Sequence, residues 1–527
     1  MKLFTLLLFL IVSFRTSAQE AYWQQHLKYN IQASLNDKEK SINGSETIVY
    51  KNNSPSTLNF IWFHIWPNAY KNENTAMRQQ VKNDKSRSKK LKDVGIGYID
   101  GLNFKINNVD AVTAPHPNEQ FIDVIKLVLN KPLKSGDSIT ISTDFKVMLP
   151  PYFSRSGYAD DEFMICQWYP KPAVFDKNGW HEFPYLDMGE FYSEYGDYNV
   201  SITLPSEYVV GATGTLQTKD ELEQYKKIGL ENSYKREGKP ALYQTAKPSE
   251  NKTLQYTATN VPDFAWFAEK GFVIQYDTVK LPEGKIIDAF SFYHNKKNTI
   301  WKSSIDYIKD AVKSYSKWVG EYEYPTVQVV EGPKNNSSGG MEYPMITLIT
   351  SPDAKAPTLD AVITHEIGHN WFMSMLGSNE RAHTWMDEGL NSFYQFRYEA
   401  EKYRTNSVFG DAIPAEIKKL PAEEFLSTIY NVIEKNIPMQ SAMDISAEKF
   451  PNSDEYGLIS YVKTAYWLSL LEASVGREIM DKAMQTYFKN WKNKHPQPED
   501  MKASFEQAVG GNLDKFFALI NKEGKFE

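Results

Sequence analysis

The sequence predicts a multidomain protein in which an N-terminal antiparallel β domain precedes an α+β domain that ends in a helical lobe. Two observations support this fold class. The chain has 527 residues, of which 41% are hydrophobic, and this is too long for one compact domain. The apolar pattern also changes near residue 275, from alternation in short runs to helical spacing. We therefore divide the chain into residues 1–18, 19–275 and 276–527.

Residues 1–18 are typical of a cleaved signal peptide for secretion. The stretch "MKLFTLLLFLIVSFRTSA" has one early lysine, an apolar run and a small-residue exit at Ser17-Ala18. The run is too short to span a bilayer, and no later stretch has the required length. We expect an exported protein, periplasmic or secreted, with no transmembrane segment after the signal peptide is removed.

Residues 19–275 alternate polar and apolar side chains in short runs that end at Gly, Pro, Asn or Asp. Runs such as "SETIVYKN", "DSITISTDFKVML" and "YNVSITLP" are typical of strands in a mainly antiparallel sheet. Cys166 is the only cysteine, so no disulfide can form within the chain. The formal net charge of −7 argues against a nucleic-acid partner.

Residues 276–527 begin with mixed elements and become helical. The stretch "NTIWKSSIDYIKDAVKSYSKWVG" has apolar residues at helical spacing, and Gly320 is placed to end that helix. The runs "PTVQVVEG" and "MEYPMITLIT" predict two strands, and the Gly-rich and Ser-rich turn "NNSSGG" lies between them. From Thr384 onward the pattern is mostly helical.

The stretch "THEIGHNWFMSML" carries the strongest chemical signal. Residues four apart share one face of a helix, so His365 and His369 can bind the same zinc ion. Glu366 lies round the helix from His365, where it can act as the general base on water. The neighbouring side chains are apolar, and a buried imidazole pair without a partner costs free energy that a metal ion removes.

Catalytic zinc usually takes three protein ligands and leaves a fourth position open. The best third ligand is Glu388 in "TWMDEGLNSFYQF", with eighteen residues between it and His369. It falls early in a second amphipathic helix that can pack against the first. Asp387 and Glu380 are the competing carboxylates.

Three blocks resemble the gluzincin aminopeptidases, the family of aminopeptidase N and leukotriene A4 hydrolase. They are "HEIGHNWF" with "WMDEG", then "GGMEYP", then "YVKTAYWLSLLEASVG", and a weaker similarity lies in "MICQWYPKPAVFDK". Together they extend over nearly the whole chain after the signal peptide. The resemblance implies a saddle-like β domain and a thermolysin-like catalytic domain. It also implies one zinc ion per chain and peptide substrates with a free N-terminus.

The resemblance also implies residue roles. His365, His369 and Glu388 would bind zinc, and Glu366 would be the general base. Glu342 would hold the α-amino group of the substrate, and Tyr461 would donate a hydrogen bond to the oxyanion. The remaining substrate contacts would be a second residue at the amino terminus and the backbone of an edge strand: Gln167, Gly339, Gly340 and Met341.

Two residues depart from the family's pattern. Tyr343 replaces the asparagine that follows the glutamate, and Thr464 replaces the glycine after Tyr-x-Lys. The interval from Glu388 to Tyr461 is long and suggests an insertion over residues 412–440. Tyr456 and Tyr466 are therefore the alternatives to Tyr461 as the oxyanion donor.

The sequence thus predicts a zinc-dependent aminopeptidase. A zinc endopeptidase or an epoxide hydrolase on the same scaffold is the alternative, and an inactive binding module is a third interpretation. Cleavage of free but not of amino-acetylated peptides separates the first from the second. The third is disfavoured because the zinc ligands and the base are all present.

Overall fold

The structure is a computed structural model. It describes residues 22–526 apart from 236–237, 246, 298, 335–338, 352–353, 407–412 and 437–438. The predicted signal peptide and the segment "NNSS" of the predicted turn therefore lie outside the described residues. Among the described helices, none is both long enough and apolar enough to cross a bilayer.

The first half of the chain consists mainly of strands. In chain order they are β1 (His26–Asn36), β2 (Ser41–Lys51), β3 (Leu58–His64), β4 (Tyr98–Asp100), β5 (Lys105–Ile106), β6 (Val109–Asp110), β7 (Thr113–Pro115), β8 (Val124–Leu133), β9 (Ser138–Met148), β10 (Gly157–Ala159), β11 (Glu162–Ile165), β12 (Lys171–Pro172), β13 (Phe175–Asp176), β14 (Gly179–Trp180), β15 (Gly196–Pro205), β16 (Val209–Ala212), β17 (Thr215–Leu216), β18 (Asn251–Val261) and β19 (Trp266–Glu269).

The second half has five strands and most of the helices. The strands are β20 (Phe272–Lys280), β21 (Ile286–His294), β22 (Thr326–Glu331), β23 (Gly340–Tyr343) and β24 (Ile346–Ile349). The α-helices among the described residues are α1 (Ala76–Asn83), α2 (Lys219–Tyr234), α3 (Ser304–Trp318), α4 (Ala356–His369), α5 (Glu388–Tyr403), α6 (Ala415–Lys418), α7 (Ala422–Asn436), α8 (Ser453–Gly457), α9 (Thr464–Val475), α10 (Arg477–Trp491), α11 (Pro498–Val509) and α12 (Asp514–Phe517).

The main sheet of the N-terminal half has nine strands, eight of them in the order β17-β18-β15-β1-β2-β9-β5-β6, with β4 also paired to β9. Alternate residues of β1 are buried, as expected for a sheet with one face on the core. Most pairs are antiparallel, as predicted, but β1 and β15 run parallel, with Leu27 opposite Gly196. A parallel pair needs a long crossover, and residues 37–195 between the two strands provide it.

A five-stranded sheet in the order β20-β21-β22-β24-β23 supports the catalytic half. β23 is the edge strand and runs antiparallel to β24, with Gly340 opposite Ile349. Helix α4 contacts both strands and packs between α3 and α5. Sheet membership changes between Glu269 and Phe272. The predicted sequence of a β-rich region, a mixed region and a helical lobe is confirmed, while the domain boundary at residue 275 stays a prediction.

One charged cluster joins the two halves of the chain. His294 of β21 lies 3.2 Å from Glu162, 3.4 Å from Glu269 and 3.3 Å from Glu331, and Lys296 pairs with Glu331. Burial alone would lower the pKa of His294, but hydrogen bonds to Glu162 and Glu331 raise it to about 10. The imidazolium therefore links strands of two different sheets at neutral pH.

We expect this cluster to make the protein lose stability at alkaline pH. The pKa of His294 is above its ordinary value of 6.5. The contribution of His294 to the free energy of unfolding is therefore fully present below pH 6.5 and is lost as pH rises through about 10. The free energy of unfolding of the parent minus that of His294→Gln should shrink over this window. Denaturant melts of both proteins from pH 6 to pH 10.5 measure the difference, and a gap that stays constant would contradict the prediction.

Candidate active site

Helix α4 presents the two histidines to one spot. Pro357 lies in its first turn, and Ile363 and Ile367 are fully buried, so the apolar face fixes the rotation of the helix. Gly368 allows α5 to approach, because a Cβ there would lie 1.9 Å from Asn391 Oδ1. Asn391 in turn donates a hydrogen bond to the carbonyl of His365 at 2.7 Å.

The three predicted ligand atoms converge. His365 Nε2 lies 3.2 Å from His369 Nε2 and 3.2 Å from Glu388 Oε2. His369 Nε2 lies 3.5 Å from the same Glu388 oxygen. These atoms form a group that could hold a metal ion. Two imidazole nitrogens and one carboxylate oxygen are a donor set that catalytic zinc takes in proteins.

Outer hydrogen bonds orient both imidazoles. Gln395 Oε1 accepts from His365 Nδ1 at 3.0 Å, and Asp387 Oδ1 accepts from His369 Nδ1 at 2.7 Å. With Nδ1 engaged on the outer side, the Nε2 atom of each ring faces the shared spot. Asp387 thus contacts the outer nitrogen of a histidine, whereas Glu388 contacts the inner ones. Although burial favours its neutral form, His369 and His365 hold the pKa of Glu388 below its ordinary value.

Glu366 points from the same helix towards the edge strand. Its side chain is buried, and Oε2 has no hydrogen-bond partner among the described residues. Burial raises its pKa to about 7. A carboxylate with one unmatched oxygen beside the three convergent ligand atoms is placed to take a proton from water.

Gly340→Ala is expected to damage this arrangement. A Cβ at Gly340 would lie 2.4 Å from Glu366 Oε1 and 2.6 Å from its Cγ, so the base would have to move. Misplacing a catalytic group by about 1 Å can cost about 10²-fold in rate, and we expect a loss of that order in kcat. Gly339→Ala is the matched control, because its Cβ would come no closer than 3.4 Å to Ser351. Equal kcat values for the two variants would refute the prediction.

Glu342 lies on β23, in the wall of the same cleft. The cleft has a volume of about 640 Å³ and is lined by Gly339 to Glu342, the two histidines, Glu366, Glu388 and Tyr461. Burial and the neighbouring Glu190 raise the pKa of Glu342 well above its ordinary value. No side chain among the described residues donates a hydrogen bond to its carboxylate. The cleft therefore offers an unmatched acceptor to a cationic ligand.

Tyr461 is held in a π-helical turn, Leu458–Lys463, between α8 and α9. Such turns are frequent at functional sites. Its hydroxyl donates to Glu388 Oε1 at 2.5 Å, and its ring stacks on His365. Of the two alternatives, Tyr456 also lines the cleft, while Tyr466 packs on Tyr430 away from it. The geometry favours Tyr461.

Gln167 does not line the cleft. Its Oε1 accepts from the Tyr343 hydroxyl at 3.1 Å, and its Nε2 faces Asp263 at 3.5 Å. Its φ of +46° is unusual for a residue other than glycine. Gln167 lines a much smaller cavity behind Glu342, and its role as a substrate contact stays a prediction.

Three residues of the site were not predicted as contributors. Gln395 follows Glu388 by seven residues, which is two helical turns on the same face of α5, and this spacing could have indicated it. Arg155 and Glu190 also line the cleft. No local pattern marks them, because they come from loops of the N-terminal half.

Comparison with known proteins agrees with the geometry. Residues 304–519 match the Peptidase family M1 domain. A leucine aminopeptidase 2 of Neurospora crassa is 25% identical over 350 residues, which are 65% of this chain and 46% of the relative. A leucine aminopeptidase 2 of Chaetomium globosum is 26% identical over 216 residues, 40% of this chain and 34% of the relative.

Solved structures share the fold at low sequence identity. A variant of an M1 zinc metallopeptidase from Deinococcus radiodurans superposes with a TM-score of 0.63 at 12% identity, covering 97% of this chain and 96% of that one. Aminopeptidase A of Legionella pneumophila gives 0.63 at 14% identity, covering 96% of this chain and 50% of that one.

Residues 304–519 therefore match the peptidase family M1 domain, and the predicted resemblance to gluzincin aminopeptidases is confirmed. The chain spans only about a third to a half of the length of the two curated relatives described here.

Proposed function

We propose that the protein is a zinc-dependent aminopeptidase that removes N-terminal residues from peptides. The observation that carries this proposal is the convergence of His365, His369 and Glu388 in one cleft with Glu366 and Glu342. The first four residues supply a hydrolytic centre, and the fifth supplies an anion for a free amino group.

Three ligands would hold the zinc ion, and its role would be to polarise the scissile carbonyl and to lower the pKa of water towards about 7. Glu366 accepts the proton of the attacking water at its unmatched Oε2 and passes it to the leaving amine. The Tyr461 hydroxyl can turn from Glu388 to the carbonyl oxygen of the substrate, where negative charge develops.

Glu342 selects the N-terminal end of the peptide for cleavage. A protonated α-amine pairs with its carboxylate and places the first peptide bond at the hydrolytic centre. A blocked amino terminus would leave this enclosed carboxyl group without a partner, at a cost of about 1–3 kcal/mol or more. The endopeptidase alternative needs no such anion, so the unmatched Glu342 favours the aminopeptidase.

The comparisons support peptides as substrates. The two curated relatives described above are leucine aminopeptidases, and one structure of the Deinococcus radiodurans enzyme contains a Tyr-Ser-Ala substrate. We infer peptides with a free N-terminus as the substrates of this chain.

Glu342→Ala tests the proposal. We expect the parent to cleave aminoacyl fluorogenic substrates, to lose this activity with a chelator, and to reject the amino-acetylated substrates. Glu342→Ala should lose about 10- to 100-fold in kcat/KM, since a hydrogen bond to a charged group is removed. Equal cleavage of aminoacyl substrates by Glu342→Ala and the parent would refute the aminopeptidase assignment, and cleavage of internal bonds would favour an endopeptidase.

We also propose that the protein is exported to the periplasm or secreted, on the strength of residues 1–18 alone. N-terminal sequencing of the protein from the native cells tests this. A mature chain that starts near Gln19 supports export, and an intact Met1 in the cytoplasm contradicts it.

A further inference from the structure

Glu190 lies in the cleft, although nothing in the sequence marks it. It belongs to the loop between β14 and β15, is 7% exposed, and lines the same cleft as Glu342 and the histidines. Carboxylate oxygens of Glu190, Glu342 and Glu380 lie within 4.8 Å of one another. The N-terminal half thus brings the carboxylate of Glu190 close to that of Glu342.

The structure holds Glu190 firmly in this place. Arg155, itself buried, donates from Nη2 to Glu190 Oε2 at 2.6 Å and from Nη1 to the carbonyl of Leu186. Arg381 donates from Nε to the backbone carbonyl of Glu190 at 3.1 Å. Arg155 occupies one carboxylate oxygen of Glu190, and no hydrogen bond among the described residues uses the other.

The charge balance around the pair is incomplete. Arg155 neutralises Glu190, but no side chain in the described part of the chain donates to Glu342. Two carboxylates so close together in an enclosed cleft repel each other unless a cation lies between them. A primary ammonium fits this need, because it carries one positive charge and three donors that can divide between two acceptors.

We propose that Glu190 is a second substrate-binding residue, which takes the α-ammonium of the peptide together with Glu342. This inference rests on the proposed function and assigns the second contact to a different residue from the predicted one. Gln167 has its amide oxygen engaged by Tyr343 and its amide nitrogen by Asp263, so both polar atoms of its side chain already have partners. Arg155 is then a positioning residue, which fixes the carboxylate of Glu190.

If the proposal is correct, the preference of the protein for a ligand with a free amine over the same ligand without it depends on both carboxylates. A suitable measurement is the ratio of two dissociation constants, one for a dipeptide with its free amine and one for the same compound with hydrogen in place of the amine. Calorimetric titrations in a Glu366→Gln background avoid hydrolysis. The ratio therefore reports amine recognition independently of turnover.

Glu190→Gln is the principal variant, because glutamine keeps the size and can still accept from Arg155. We expect the preference for the free amine to fall about 10- to 100-fold, as for the loss of a hydrogen bond to a charged group. In the active background the loss should appear mainly in KM. Asp187→Asn is the matched control, since Asp187 lies in the same loop and cleft but pairs with Arg87. Its preference should equal that of the parent.

An unchanged preference in folded Glu190→Gln would overturn the assignment of Glu190, whereas chelator-sensitive cleavage by the parent would still uphold the proposed function. A parent that binds the amine selectively through Glu190 but does not hydrolyse peptides would support the assignment of Glu190 and contradict the proposed function. If Glu190→Gln does not fold, Glu190→Asp replaces it, since it keeps the charge but shortens the reach. A weaker preference for the amine then supports the proposal, and the parental value overturns it.

Discussion

Glu366→Gln should lose about 10²- to 10⁴-fold in kcat, the usual contribution of a general base. Glutamine has the same shape but cannot accept the proton of water, so the loss should appear in the chemical step. Because Glu366 contributes no atom to the convergent group of His365, His369 and Glu388, zinc binding should persist. The measurements are steady-state kinetics on an aminoacyl substrate and the zinc content of the purified protein.

The control for Glu366→Gln is the binding of substrate. Glutamine keeps the size of Glu366, and the proposed partner of the substrate amine is Glu342 rather than Glu366. KM should therefore stay within about tenfold of the parental value. A variant that retains more than a tenth of the parental kcat would remove Glu366 from the role of base. If the variant also loses its zinc, its inactivity would be explained by loss of the metal rather than by loss of the base.

The zinc group was predictable because its information is local. His365 and His369 are four residues apart on one helix, and this spacing fixes their common face whatever the rest of the fold. Glu388 required one further step, the packing of the next helix against the first. The amphipathic pattern of that second helix indicated the step, and the structure brings Glu388 to within 3.2 Å of His365.

The remainder of the site depends on contacts between distant segments. Tyr343 and Gln167 are 176 positions apart, and the hydrogen bond between them turns Gln167 away from the cleft. Glu190 is held by Arg155, 35 positions earlier, and by Arg381, 191 positions later. No periodicity or local motif encodes these pairs, since they arise only when the loops of the β-rich half close over the catalytic sheet. The resemblance could supply Gln167 as a candidate, but not its orientation.

The three carboxylates that competed for the zinc in the sequence should separate experimentally. Glu388→Ala removes an oxygen next to both Nε2 atoms, so we expect it to lose zinc and activity together. Asp387→Asn changes the partner of His369 Nδ1, and loss of such an outer contact typically costs about 10- to 100-fold in metal affinity. Glu380 groups with Glu190 and Glu342 and reaches the histidines only through its hydrogen bond to Asp387, so Glu380→Gln should lose the least zinc affinity of the three.

Competition with a chromophoric chelator measures the three zinc affinities on one scale. The expected order of loss, Glu388→Ala above Asp387→Asn above Glu380→Gln, follows from the distance of each carboxylate from the shared spot rather than from its burial, because all three residues are buried. If burial alone decided the outcome, the three substitutions would destabilise the fold to the same extent. Melting curves recorded with saturating zinc measure that destabilisation. An affinity loss for Glu380→Gln as large as that for Glu388→Ala would mean that the metal lies between strand β23 and Glu380. The third ligand would then have to be reassigned.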